Sequence, residues 1–290
     1  MRISVVTACR DASAFLEATL RSVVGQDYAD LEYIVLDGGS RDGSQDIVER
    51  YAHRLAYFES KPDAGQYAAI AEGFARATGE VFAWINADDL HMPWTLATVA
   101  RIFADLPEVD WIASRVPMIL GADGLPTLAD EIAGIGPGQF RAGAAVPGAP
   151  WRQAHGIQQE STFFRRRLWE TAGGFDPAYG LAGDFALWCR FARHAELHYA
   201  NVPLAGFRRH GANRSGDAAR YAAEALAAYR ATGWQPWSRV RGNLAVPLTR
   251  ALRAVNVPAL HAGAAALGLY EPAPFVRFDE AAARWRATRL

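Results

Sequence analysis

Val81-Phe82-Ala83-Trp84-Ile85 is an apolar run of strand length that ends at once in Asn86-Ala87-Asp88-Asp89. Such a run, breaking into adjacent acids, reads as a buried strand of an α/β protein with its carboxylates at the C-terminal edge of the sheet, where these folds bind ligands. Like charges side by side cost free energy unless a cation or hydrogen bonds offset them, and Mg²⁺ or Mn²⁺ takes one or two carboxylates plus substrate phosphates. The alternative is ordinary helix capping, since an Asp ahead of the helix signal at Pro93 is a normal N-cap.

The same unit recurs earlier. Ile3 to Ala8 reads as a buried strand, with Asp11 or Ser13 placed to cap a helix that carries Leu16, Leu20, Val23 and Val24 on one face. Leu31 to Leu36 is a second strand, followed by the turn Asp37-Gly38-Gly39-Ser40-Arg41-Asp42-Gly43-Ser44 and a helix from about Gln45. A short strand at Ala56–Glu59 leads through Pro62-Asp63-Ala64-Gly65 to a helix with Ile70, Phe74 and Ala77 in phase and Gly79 as its C-cap. Repetition of strand, turn and helix is the pattern of a mostly parallel sheet wound with helices. Strand ends at Thr7-Ala8, Asp37 and Asn86-Asp89 then share one edge and one crevice.

Beyond a strand at Trp111–Ser114, residues 121–150 are rich in Gly, Pro and Ala and read as a loop excursion. Order returns with His155–Phe164, a helix led by Gly183-Asp184, and strands near Leu197–Ala200 and Leu204–Phe207. Asp184 at a helix N-terminus is by itself equally a cap. From about Ser215 onward the composition turns to Ala, Arg and Leu with helical spacing. The expected organisation is a main α/β domain over 1–215, in two halves of about 1–115 and about 116–215, followed by a helical extension over 216–290.

Several function classes are excluded by composition. A net charge of −1 over 290 residues gives no general electrostatic grip on nucleic acid. Lys61, the only lysine, sits in Ser60-Lys61-Pro62, which removes a Walker-type phosphate loop. Cys9 and Cys189 are the only cysteines, so neither a disulfide framework nor a zinc–thiolate cluster is available. No run of about 18 apolar residues appears. The expected location is the cytoplasm; the Arg250 and Arg253 side of the C-terminal helices permits peripheral contact with the inner face of a membrane, the favoured alternative being that these helices pack on their own domain.

Taken in order, Ser4–Ala8, Ile34–Ser44, Pro62–Gly65, Ala77–Glu80, Asn86–Asp89, Ser161–Arg165 and Gly183–Trp188 resemble a family 2 glycosyltransferase of the GT-A fold, over about residues 1–215. The resemblance implies a Rossmann-like, mostly parallel sheet flanked by helices, and inverting transfer of a hexose from a nucleoside-diphosphate sugar, a UDP-sugar being favoured, with Mn²⁺ or Mg²⁺. It implies that Thr7, Ala8 and Asp11 line the nucleotide pocket, that Asp37 accepts from the base, and that Asp63 lies near base or ribose. Asp88 then faces the ribose or metal, Asp89 holds the cation in a DXD-like motif, His210 touches the metal or diphosphate, and Asp184 is the general base. The acceptor is a saccharide or lipid-linked saccharide, and Trp151, Gln159 and Glu160 are its candidate contacts. The pathway implied is synthesis of a cell-surface polysaccharide or glycoconjugate.

Two features depart from many relatives: Ala186 stands where a second acid often follows the base, and Gly38 where the turn often has another Asp. The rival classes are an inactive sugar-nucleotide-binding scaffold and a sugar-phosphate nucleotidylyltransferase. The latter needs a glycine-rich loop after the first strand, and Thr7-Ala8-Cys9-Arg10-Asp11 contains no glycine.

Overall fold

A computed structural model describes residues 1–148, 156–236, 251–252, 263–264, 266 and 271–289. The N-terminal part alternates strand and helix: β1 (Ile3–Cys9), α1 (Leu16–Val24), β2 (Leu31–Asp37), α2 (Ser44–Arg50), β3 (Tyr57–Ser60), α3 (Gln66–Arg76) and β4 (Val81–Trp84). Next come β5 (Leu90–His91), α4 (Thr95–Asp105), β6 (Trp111–Ser114), β7 (Met118–Leu120), β8 (Pro126–Ala129) and α5 (Pro137–Arg141). The remainder is β9 (Phe163–Arg165), α6 (Arg166–Ala172), α7 (Gly183–Phe191), β10 (His198–Ala200), β11 (Ala205–Arg208), α8 (Ala218–Ala231), β12 (Pro274–Asp279) and β13 (Arg284–Arg289).

Nine strands form one sheet in the order β13-β12-β10-β6-β9-β4-β1-β2-β3. The β4-β1-β2-β3 run is parallel throughout, while β9 runs antiparallel between β4 and β6. Alternation along the strands feeds two cores. Val6, Ile34, Leu36, Phe82 and Trp84 face the layer of α3, α6 and α7. Ile3, Val5, Tyr33, Val35, Val81 and Ala83 face the layer of α1, α2 and α4. Both faces being covered explains why these strands read as continuous apolar runs. A second sheet has the order β5-β11-β7-β8, and its Ile119, Phe207 and Leu128 line a cavity together with Trp84 of β4.

Several local expectations are corrected. α1 begins at Leu16 and has no side-chain cap; Asp11 adopts φ 48° and uses a carboxylate oxygen to accept from Arg41 N at 2.9 Å, while Ser13 N donates to Asp42 at 2.8 Å. Ala77, not Gly79, is the C-cap of α3, because Gly79 packs against β1: a Cβ there would lie 2.4 Å from Ser4 Oγ. Residues 121–148 are more ordered than a loop, contributing β8, α5 and buried Ile132, Ile135, Phe140 and Val146. Their apolar positions are too sparse to show a period, but each one meets the α7 side of the core.

The extension after residue 215 is helical in α8 and then departs from expectation. Residues 274–279 and 284–289 form a hairpin that joins β10 and completes one end of the main sheet. Alternation in Phe275-Val276-Arg277-Phe278 and Trp285-Arg286-Ala287-Thr288 carries this strand pair, which helix-minded reading of the Ala- and Arg-rich tail passes over. The arginine-bearing segment around Arg250 and Arg253 falls largely outside the described residues, and no helix among the described residues is long and apolar enough to cross a membrane.

Glycine is required where α3 crosses β1, since a Cβ on Gly73 would lie 2.6 Å from Val6 Cγ1, a fully buried atom with no room to retreat. Overpacking outweighs the gain in helix propensity, so Gly73→Ala is expected to lower stability by about 1–2 kcal/mol, measured by urea denaturation.

Candidate active site

The ends of β1 and β4 open into two adjoining cavities. One, of about 610 Å³, is lined by Ala8, Arg10, Asp11, Phe15, Asp63, Gly65, Asp88 and His210, among others. The second, of about 550 Å³, is lined by Tyr67, Trp84, Gln158, Gln159, Glu160, Asp184, Phe207, Arg209 and Tyr221, among others. Gln66, Asn86, Asp88 and Arg214 line both and so form the wall between them.

The turn after β4 divides its acids by environment. Asp88 reaches the shared wall, where one carboxylate oxygen meets His210 Nε2 at 3.0 Å and Asn213 Nδ2 at 3.3 Å. His210 is held against the Phe15 ring, centroids 4.3 Å apart. Asp89 points inward and is fully buried, accepting from Arg208 N at 2.7 Å with one oxygen and from Asn86 Nδ2 at 2.9 Å with the other. Burial, then the Glu160 and Asp88 charges, push the Asp89 carboxyl well above its usual range. Asp89 therefore lines neither cavity, whereas Asp88 lines both, so the carboxylate expected from sequence to hold a cation is the one turned away from the opening. The reason is the tight turn into β5, which sends consecutive side chains to opposite sides.

Glu160, in the 3-10 turn Gln159–Ser161, lies beside Asp89, and burial raises its carboxyl to about 7. Like-charged carboxyls in one desolvated place cannot both ionise freely, so the pair retains a proton near neutrality. Gln159 is a structural tie: its amide donates to Trp84 O at 2.8 Å and its oxygen accepts from Asn86 at 3.1 Å. Both residues line the second cavity. Trp151, the third candidate, lies outside the described residues.

Asp184 sits in the first turn of α7, on the wall of the second cavity. Burial pushes its carboxyl up to about 6, against hydrogen bonds from Phe185 N, Tyr221 and Tyr67 that pull it down. Tyr221 Oη, from α8, donates within 3.1 Å of both carboxylate oxygens. Gly183 makes room for the Tyr67 ring, since a Cβ there would lie 2.6 Å from it.

The remaining predicted residues divide in the same way. Ala8, Asp11 and Asp63 line the first cavity. Thr7 does not: it is fully buried, with its hydroxyl 2.9 Å from Tyr33 Oη and donating to Ile85 O at 3.0 Å. Its place in the middle of β1's pairing turns it into the core while Ala8 faces the opening. Asp37 is also buried, and its two oxygens already accept from Gly39 N, Ser40 N, Ser40 Oγ and Ser60 Oγ. Burial pushes this carboxyl up, but those hydrogen bonds outweigh it and hold it below the usual range. Its visible role is to fix the β2 turn rather than to present a free acceptor to a base.

Reasoning from sequence missed Gln66, Tyr67, Arg214 and Tyr221. Arg214 bonds to Gln66 Oε1 and donates to Gly180 O at 2.9 Å, placing a guanidinium on the wall between the cavities. Its signal was available, four residues after His210. Tyr221 had none, because nothing local in an Ala-rich helix indicates that it reaches a site 37 residues away.

Among the described residues no three His, Cys, Asp or Glu side chains gather as a ready-made metal cage. The Asp88 carboxylate and the His210 imidazole nonetheless stand together beside a cavity open to phosphate oxygens, a donor set that fits Mn²⁺ or Mg²⁺ bound jointly with a diphosphate.

A largely parallel sheet with an acidic turn at its edge, facing a small second sheet, is the GT-A arrangement of sugar transferases. Solved structures of similar fold include TarS of S. aureus in complex with UDP-GlcNAc, at TM-score 0.59 and 12% identity over 89% of this chain and 77% of that one. A mannosyltransferase from Pyrobaculum calidifontis, in complex with GDP-Man and Mn²⁺, is similar at TM-score 0.59 and 22% identity over 93% and 81%. An uncharacterized glycosyltransferase of a Nostoc species is 28% identical over 234 residues, 77% of this chain and 70% of the relative. Residues 4–127 match the model of Glycosyl transferase family 2, and over that stretch the chain is similar to that family.

Two titrations follow from these environments. Removing the Tyr221 hydroxyl takes a donor from the ionised form, so Tyr221→Phe is expected to raise the Asp184 pKa further above its value of about 6, read by NMR titration of the carboxyl carbon. A carboxyl whose pKa is raised on folding contributes stability that is present below the unfolded value and lost as pH rises through the folded one. Glu160→Gln should therefore flatten the loss of stability between about pH 5 and 7, by up to about 1.4 kcal/mol per pH unit in denaturation measurements.

Proposed function

We propose that this protein is an inverting, metal-dependent hexosyltransferase that moves a sugar from a nucleoside-diphosphate donor to an acceptor hydroxyl. The observation that carries this reading is the pair of cavities meeting at Gln66, Asn86, Asp88 and Arg214, with a carboxyl tuned to about 6 on the far wall of the second. The first cavity takes the nucleotide, with Ala8, Asp11 and Asp63 around it. The second takes the acceptor. Residues 1–115 supply most of the donor half and 116–215 most of the acceptor half. UDP is the favoured nucleotide, in line with the donor of the TarS complex, and the pathway proposed is assembly of a surface polysaccharide or glycoconjugate.

Asp184, ionised above about pH 6, accepts the proton of the acceptor hydroxyl as its oxygen bonds to the anomeric carbon. The bond from that carbon to the diphosphate oxygen breaks, and the electron pair leaves with the nucleoside diphosphate. Attack from the acceptor cavity, opposite the leaving group, inverts the anomeric carbon. Tyr67 and Tyr221 hold Asp184 in place. Arg214, on the shared wall, offsets charge growing on the departing diphosphate. A divalent cation held by Asp88 and His210 would supply further charge neutralisation there.

Asp184→Asn is expected to keep nucleotide binding while transfer from UDP- or GDP-hexoses falls about 10²- to 10⁴-fold. Asp88→Ala should lose the Mn²⁺-dependent part of UDP binding in titration calorimetry. Wild-type transfer by the first variant, or unchanged Mn²⁺ dependence in the second, would remove the corresponding role.

A further inference from the structure

Phe207, Ile119 and Leu128 stand in one register row across β11, β7 and β8: Phe207 pairs with Ile119, and Ile119 with Leu128. Directly paired residues share a sheet face, and all three line the cavity that holds Asp184. Met118 and Leu120, the alternating neighbours on β7, line a separate cavity on the opposite face. With adjacent strands about 4.8 Å apart, the row is an apolar track about 10 Å long.

The track offers no hydrogen-bonding group to a sugar hydroxyl. Polar side chains border it instead, Asp130 two residues beyond Leu128 and Arg209 two residues beyond Phe207, both on the cavity wall. At its outer end Leu128 is 51% exposed, and Leu125 in the same hairpin is 64% exposed. The strand β8 is exposed at every position, so nothing in the fold requires a leucine there. An apolar row that starts inside the cavity and runs continuously to the surface is a complement to a chain or ring that enters with the acceptor.

Resting on the reading of this cavity as the acceptor side, we propose that the Phe207–Ile119–Leu128 row is a subsite for an apolar alkyl or aryl segment of the acceptor, whose hydroxyl lies at Asp184. The acceptor is thus an amphiphile rather than a wholly polar saccharide. Its polar part meets the Glu160 and Arg214 side of the cavity while its apolar part lies along the three strands.

The test uses n-alkyl β-D-glucosides from butyl to octyl as probes, held below micelle-forming concentration. They are titrated into the full chain in the presence of UDP and Mn²⁺, with the fluorescence of Trp84 in the cavity wall among the reporting signals. Each added methylene should tighten binding about threefold to fourfold, so octyl binds on the order of 100-fold more tightly than butyl. Leu128→Ser, at an exposed position, should reduce the octyl-to-butyl ratio at least fivefold and leave UDP binding as in wild type. Equal butyl and octyl affinities in wild type would overturn the subsite, as would an undiminished ratio in Leu128→Ser, which would mark general partitioning onto the surface. UDP failing to bind wild type would instead remove the donor reading itself, and the subsite with it.

Discussion

The buried Asp89 carboxylate is the tie on which the geometry of both cavities depends. One oxygen takes the backbone N–H of Arg208 and the other the amide of Asn86, so a single side chain fixes the small sheet to the turn after β4. Asn86 in turn bonds to Gln66 at 2.6 Å and to Gln159 at 3.1 Å. Four segments distant in sequence thereby meet at one point. Removing the carboxylate would leave buried donors unpaired as well as release the turn, and an unmade buried hydrogen bond costs more than a made one contributes. Asp88 can face open space because its neighbour is so firmly held.

This division of labour shows what was legible in the sequence. The parallel run β4-β1-β2-β3 was plain, because strands covered on both faces carry unbroken apolar runs and end in turns with distinctive residues. The convergence of the β1 and β4 ends on one crevice followed from that alone, whereas the end of β2 lines neither cavity. Which carboxylate of Asp88-Asp89 faces the crevice did not follow, since one residue of rotation in a tight turn exchanges inside and outside. Asp37 was similarly ambiguous: a carboxylate after a strand looks the same in sequence whether it awaits a ligand or is already saturated by Gly39, Ser40 and Ser60.

Elements built from sparse or misleading patterns were harder. The 121–148 region packs Ile132, Ile135, Phe140 and Val146 singly into a core supplied mostly by other elements, so it never develops a period of its own. The β12–β13 hairpin hides in an arginine-rich tail whose polar side chains alternate with its apolar ones. Tyr221 is the extreme case. Its hydroxyl helps set the ionisation of Asp184, yet its own surroundings in sequence are those of a simple amphipathic helix. Residues that act by reaching another element leave no local trace, because their constraint is tertiary.

The four side chains common to both cavities have a thermodynamic consequence. A ligand in one chamber that draws Gln66, Asn86, Asp88 or Arg214 toward itself changes the surface that the other chamber presents. Any such effect is reciprocal: the factor by which the first ligand alters affinity for the second is the factor by which the second alters affinity for the first. Occupancy of one chamber is thus linked to affinity in the other to the extent that a ligand moves the four side chains of the partition.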